Sequence, residues 1–378
     1  MTKHTNAPDS ESDATFLGWQ KKFSDDIFPL FNITVTDHPL YQSTVSEETL
    51  RKLHLRVPRT TSPYPDTAPA PWHHLGTELN HPRTAGEAIE TAGLNYTVAK
   101  KPLTAGRGLD QDTYATMRMD THDVLGFVKE SYQPVQNIDA FKFFDALVAA
   151  DEATYETAGV LGKGECIWIL AKLPGYIKVH GNDIVSKYLL LTNSHDGVSQ
   201  VRVRLTPIRV VCNNTLTSAL QGAGDISISH TPNTVRYFEQ AFALLGLSNS
   251  LYGQLDVMFN RMAAKKITPE QLREYVQALV PDNEEDQNTA RTEKIRESVL
   301  QLHDSGHGAN LARGTVWGAF NSVAEYTDHM MSDEDSATRL NSIWFGRGEQ
   351  LKVKAFRLAQ HLMGHESVSQ AINKAFRS

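Results

Sequence analysis

Four runs between residues 154 and 211 constrain the fold of this chain more than any other stretch. Thr154 to Leu161, Cys166 to Leu173, Lys187 to Thr192 and Gln200 to Val211 are rich in β-branched and other apolar residues. Gly-Lys-Gly-Glu, Pro-Gly-Tyr and His-Asp-Gly turn chemistry separates them, which predicts antiparallel strands joined by tight connections. In the last run Val201, Val203 and Leu205 alternate with Arg202 and Arg204. Successive strand residues point to opposite faces, so a sheet with one dry face and one wet, basic face is expected.

Helical signals surround these runs. Glu87 to Gly93 reads as a short helix closed by glycine, and Asp139 to Ala150 places Phe143, Phe144, Leu147 and Val148 at helical spacing. Between them, Met117 to Asp120 alternates and leads into Val-Leu-Gly-Phe-Val, a hairpin turning near Thr121 to Asp123. Asn213 or Asn214 can cap a helix over 213–222 with Leu216, Ala219 and Leu220 as its apolar stripe. From Thr234 onward the pattern is almost wholly helical. Thr268, Pro269 and Gln271 form a capping box, 282–286 breaks to an acidic loop, and later helices are expected over 289–303, 312–331, 348–363 and 366–376.

The first 70 residues end in Pro58, Pro63, Pro65 and Pro69, with Pro71 just beyond, and prolines deny the amide donors that helices and central strands need. An extended arm is expected there, with a short helix after Ser46 carrying Leu50, Leu53 and Leu55. The expected class is α+β: a central antiparallel β-sheet over about 113–212 backed by helices, followed by a mostly helical C-terminal region. The expected organisation is an arm over 1–70, an α+β core domain over 71–233 and a helical region over 234–378.

Composition excludes several classes. A chain of 378 residues with 40% hydrophobic and 21% charged residues is an ordinary globular protein, and a net charge of -7 argues against an all-basic surface while permitting a local basic groove. Cys166 and Cys212 are the only cysteines, too few for a disulfide scaffold or a four-thiolate metal site, so a reduced, cytoplasmic setting is expected. No run approaches the ~18 apolar residues of a membrane span, and the N-terminus lacks signal-peptide character. With neither a P-loop nor a dinucleotide fingerprint, no cofactor is expected.

Cations supply the candidate site. Arg202, Arg204 and Arg209 on one strand can hold phosphates through forked donors that stay charged at physiological pH. Near the C-terminus Arg347, Lys352, Lys354, Arg357, Lys374 and Arg377 face only Glu349 and Glu366, six against two, with Trp344, Phe345 and Phe356 as stacking candidates. An alternative chemical site pairs His195 and Asp196 with a Cys212 nucleophile. The histidine groups His73, His74 and His81, and His303 with His307, lack partners at ligand spacing, and Glu325, Asp328 and His329 read as a polar helix face. No metal is expected.

Ordered motifs carry a family resemblance. Pro-Trp-His-His-Leu-Gly at 71–76, Ser-Tyr-Gln-Pro-Val-Gln-Asn at 131–137, Thr-Asn-Ser-His-Asp-Gly at 192–197 and Arg-Val-Val-Cys-Asn-Asn-Thr-Leu at 209–216 lead to two later segments, 314–329 and 343–355. Together they resemble the phage/plasmid-like protein family, built around a bacterial and phage domain of unknown function, over about 71–360; His74 stands where that family favours glycine. The resemblance implies a role in mobile-element DNA replication, recombination or defence and no established catalytic residues. The strand, hairpin and helix order is also similar to that of single-strand annealing recombinases, at the level of fold alone.

The expected function is therefore a non-enzymatic nucleic-acid-binding protein, favouring single-stranded DNA and forming a homo-oligomer, with Arg202, Arg204, Arg209, Trp344, Arg347, Lys352, Lys354 and Arg357 at the interface. The alternatives are a nucleic-acid- or nucleotide-processing enzyme using His195, Asp196 and Cys212, and a protein-interaction component of a phage defence or counter-defence system.

Overall fold

The structure, a computed structural model, describes residues 76–103, 113–197, 201–211, 214–216, 225–227, 234–282, 289–331, 336–364 and 367–377. The proline-rich arm, the Pro71 to Leu75 part of its motif, Cys212, Asn213 and most of the expected 213–222 helix and 282–286 loop lie outside the described residues.

Two antiparallel sheets form the frame. The larger comprises β1 (Thr77–Glu78), β5 (Thr154–Leu161), β6 (Cys166–Val179), β7 (Asp183–Ser194), β8 (Arg202–Arg209) and β10 (Asp225–Ser227) in the order β1-β5-β6-β7-β8-β10, with β9 (Asn214–Thr215) also on β8. The smaller is a meander of β2 (Val98–Pro102), β3 (Thr113–Arg118) and β4 (Val124–Lys129). Short helices α1 (Ala85–Thr91), α2 (Asn137–Phe141) and α3 (Asp145–Ala149) intervene. The helical region then holds α4 (Thr234–Ala264), α5 (Pro269–Leu279), α6 (Thr289–Ser305), α7 (Ala309–Ala312), α8 (Val316–Glu325), α9 (Ser336–Trp344), α10 (Arg347–Gly364) and α11 (Val368–Arg377). The architecture is α+β. No described helix is long and apolar enough to cross a membrane.

Sheet and helices share one core. Trp168, Leu170, Tyr188, Leu190 and Ile208 project from one face of the larger sheet onto Leu340, Ile343 and Trp344 of α9. Arg202 lies on the rung of Trp168 and Thr192, and Arg204 on the rung of Leu170 and Leu190. The expected wet face is therefore covered, because its other strands carry large apolar residues that a helix must shield from water. The opposite face, with Ile169, Leu189, Leu191, Val203 and Leu205, is buried as well.

Several local expectations change under tertiary contacts. The Pro174, Gly175, Tyr176 segment does not turn the chain: β6 runs through it with a register break between Lys172 and Tyr176, eased by Gly175 at φ 75°. At that break the Tyr252 hydroxyl of α4 accepts from the Tyr188 amide (3.0 Å) and donates to the Tyr188 carbonyl (2.7 Å). The expected 139–150 helix is interrupted by a 3-10 turn at Lys142–Phe144, whose three-residue period puts Phe141, Phe144 and Leu147, all fully buried, on one side. Asn214 begins no helix: it pairs with Arg209 as strand β9, its side chain donating to the Asn321 carbonyl at 3.2 Å. The expected 312–331 helix starts only at Val316, capped by Thr315, and ends in a π turn at Tyr326–Met330. Helix α9 has no counterpart among the sequence expectations.

Candidate nucleic-acid interface

The β8 arginines divide by parity. Arg202 and Arg204 share the α9 face and are half-buried. The Arg204 guanidinium donates to the carbonyl of Trp344, the last residue of α9, and stands 4.8 Å from the centre of the Phe345 ring. A cation is favoured there because unsatisfied carbonyls make a helix C-terminus electronegative. Arg209 has the opposite parity and points inward with Val203 and Leu205. It is 1% exposed; its Nε lies 2.9 Å from both Asp183 carboxylate oxygens, and an Nη donates to the Gly308 carbonyl at 2.9 Å. The Trp317 indole donates to the same carboxylate at 2.8 Å. Arg209 is thus an internal tie and not a surface phosphate ligand.

Two more expected contacts prove internal. Trp344 is 1% exposed and packs edge-on against Trp168 with ring centres 5.1 Å apart. Its neighbour Phe345 reaches solvent instead, at 37% exposure. Lys352 is fully buried; its Nζ lies 2.8 Å from Asp328 Oδ1 and 2.5 Å from the Thr215 hydroxyl. Asp328 Oδ2 accepts from the Thr215 amide at 2.6 Å and from its hydroxyl at 2.7 Å. The reason is helical phase: Gly348, Lys352, Ala355, Phe356 and Ala359 form the buried stripe of α10.

Arg347, Lys354 and Arg357 fall on the other stripe. All are exposed, spaced seven and three residues apart, so they line one helix face over about 15 Å. Among the described residues none of the three pairs with a carboxylate. Glu349 turns away, its carboxylate 4.0 Å from Lys352. Arg204 meets the Phe345 ring just past the end of α9, two residues before Arg347 opens α10. Five of the eight expected residues thus stay at least partly exposed, while Arg209, Trp344 and Lys352 are consigned to the interior.

The alternative chemical site takes a different form. His195 is fully buried, its Nε2 lying 2.7 Å from Asn137 Oδ1. Asn137 spends its amide nitrogen on the Leu94 carbonyl (2.8 Å), so Oδ1 is the acceptor and Nε2 carries the proton. Burial pushes the imidazole down to about 4. Its carbonyl accepts from Thr116 at 2.6 Å and its amide donates to Glu165 at 2.7 Å, so it pins the two sheets together. Burial also pushes the Cys166 thiol up to about 12, which keeps it protonated and poorly nucleophilic. His303 accepts from the Gly314 amide at 3.0 Å, and His307 meets the buried Glu325 carboxylate at 2.9 Å. Sequence reasoning missed Asp183, Trp317 and Thr215 as partners of the internal cations; they lie 26, 108 and 137 residues from Arg209 or Lys352.

The family model for a domain of unknown function (DUF932) matches residues 124–344, more than half of the 378-residue chain. No curated protein and no solved structure matches it.

Proposed function

We propose that this chain, which belongs to the DUF932 family, is a non-enzymatic nucleic-acid-binding protein that takes up single-stranded DNA in phage- or plasmid-borne DNA metabolism. One observation carries the reading: Arg347, Lys354 and Arg357 stand on one exposed helix face, without carboxylate partners among the described residues, on a chain whose net charge is -7. Phosphates spaced along a strand match such a row, and releasing their counterions supplies salt-dependent affinity. Arg202 and Arg204 extend the row, and Phe345 beside the Arg204 guanidinium offers a ring at its bend. The mobile-element setting rests on the motif resemblance. Cytoplasmic location and assembly into a homo-oligomer belong to the same reading.

The test is fluorescence anisotropy of a labelled oligothymidine at several salt concentrations. Joint Arg347→Ala, Lys354→Ala and Arg357→Ala substitution is expected to flatten the log-affinity against log-salt slope by about 2, at ~0.7 per lost single-strand phosphate contact. An unchanged slope in a variant with wild-type thermal stability overturns the reading. Turnover of a nucleic acid abolished by His195→Ala would favour the enzyme instead, and a stable protein partner without DNA affinity would favour the defence component.

A further inference from the structure

A second set of cations gathers where α4 ends and α8 begins. The main chain fixes this junction: the Ile267 amide donates to the Gly314 carbonyl at 3.1 Å and the Val316 amide to the Lys265 carbonyl at 2.9 Å, which sets Lys266 opposite Thr315. The Gly314 amide in turn donates to His303 at 3.0 Å. Lys265 and Lys266 are thereby brought beside the Arg313 to Thr315 segment, and Arg261 stands one helical turn before Lys265 on the same face. All four cations are exposed, and among the described residues none has a carboxylate partner. Cations often sit at a helix C-terminus to answer its open carbonyls. Here the Arg261 carbonyl already accepts from the Lys265 amide at 3.1 Å and the Lys265 carbonyl from Val316, and Arg313 belongs to neither helix.

The carboxylates of the adjoining turns are Asp256, Glu270, Glu274 and Asp304. Asp256 accepts from the Asn260 side chain at 2.7 Å and Glu270 lies 3.7 Å from Arg273, which leaves Glu274 and Asp304 against four unpaired cations. A local positive surplus remains on a chain whose net charge is -7. A Cβ at Gly314 would meet no atom within 4 Å, so the main chain between Arg313 and Thr315 lies open to a group approaching from outside. We infer that this junction is a second phosphate-binding surface, on which Arg261, Lys265, Lys266 and Arg313 hold a stretch of nucleic-acid backbone. The inference rests on the nucleic-acid reading above and adds a contact on elements other than α10. Arginine forks and lysine point charges are donors that phosphate oxygens accept from. Among the described residues Val257 is the one large apolar side chain of α4 that is exposed, far short of the ~800 Å² per partner of a stable protein interface. The surface therefore suits a polyanion and not an apolar partner.

Lysine acetylation footprinting of the full chain, read by peptide mass spectrometry, tests the surface without altering it. With oligothymidine added to about 90% occupancy, acetylation of Lys265 and Lys266 is expected to slow about tenfold, since only the free fraction reacts. Joint Arg261→Ala, Lys265→Ala, Lys266→Ala and Arg313→Ala substitution is expected to flatten the log-affinity against log-salt slope by about 3, at ~0.7 per lost contact, and by the same amount when Arg347, Lys354 and Arg357 are already alanine. If wild type binds with a slope that answers to the α10 row while Lys265 and Lys266 stay unprotected, the junction is refuted and the wider reading stands. An unchanged slope in the fourfold variant at wild-type thermal stability refutes it too. Equal protection by polyglutamate overturns the assignment to phosphates and gives the surface to an acidic protein. No binding by wild type refutes both readings.

Discussion

Replacing Lys352 by methionine tests the division of the α10 cations into a buried and an exposed set. The ammonium is fully buried between Asp328 and Thr215, and the methionine side chain fills nearly the same volume without the charge. Removing one member of a buried pair strands the other, at a cost of about 3–5 kcal/mol. The Thr215 amide and hydroxyl still donate to Asp328, so the lower end, about 3 kcal/mol, is expected for Lys352→Met. Asp328→Asn strands the ammonium by a similar amount while keeping an acceptor for the Thr215 amide. In the Asp328→Asn background, however, Lys352→Met removes a charge whose nearer counterion is already gone, with Glu349 left at 4.0 Å, and its cost falls toward zero. The cycle therefore returns a coupling of about 3 kcal/mol, against within ±0.5 kcal/mol for the exposed Lys354→Met. Urea unfolding followed by far-UV circular dichroism measures all of these. A Lys352→Met midpoint indistinguishable from that of Lys354→Met would refute the burial argument and return Lys352 to the candidate surface.

Two further outcomes follow from the contact between the small sheet and the residues just beyond β7. His195 titrates near 4 when folded and near 6.5 when unfolded, so between these pH values the unfolded chain binds the proton and the folded chain does not. Stability from this group is complete above about pH 6.5 and drains away toward pH 4, by about 3 kcal/mol in all; His195→Gln should remove that share of the slope in urea melts run across the range, and an unchanged slope contradicts it. Gly126→Ala forces a methyl into the Asp196 main chain, and it should speed amide hydrogen exchange in β3 and β4 while leaving β6 and β7 protected. Equal protection throughout would show that the sheet has room to give.

Apolar, β-branched-rich runs bounded by turn residues made the central strands legible, because both signals are written locally. The capping box at Thr268 and Gln271 was legible for the same reason: both partners lie within one turn. Asn214 carries an equally plausible local signal, yet contacts with Asn321 and with the Asp328 pair of its neighbour Thr215 draw it into a strand. Partners more than 100 residues away leave no trace in a local window. The site divides in the same manner. Arg209 differs in parity from Arg202 and Arg204, and Lys352 shares its helical phase with Gly348, Phe356 and Ala359, so their inward aim was readable from spacing. Their counterions were not: Asp183 sits on a neighbouring strand and Asp328 on a π turn whose extra residue per turn falls outside any 3.6-residue pattern. Helix α9, nine residues long, was overlooked because its stripe of Leu340, Ile343 and Trp344 makes sense only against the sheet it covers.

The Tyr252 phenol occupies a rung that a strand residue would normally fill. A ladder completed in this way is stitched crosswise, so β7 cannot slip in register without tearing a helix side chain loose. The phenol at that reach both gives and receives, and phenylalanine at 252 would orphan two main-chain groups at a single stroke.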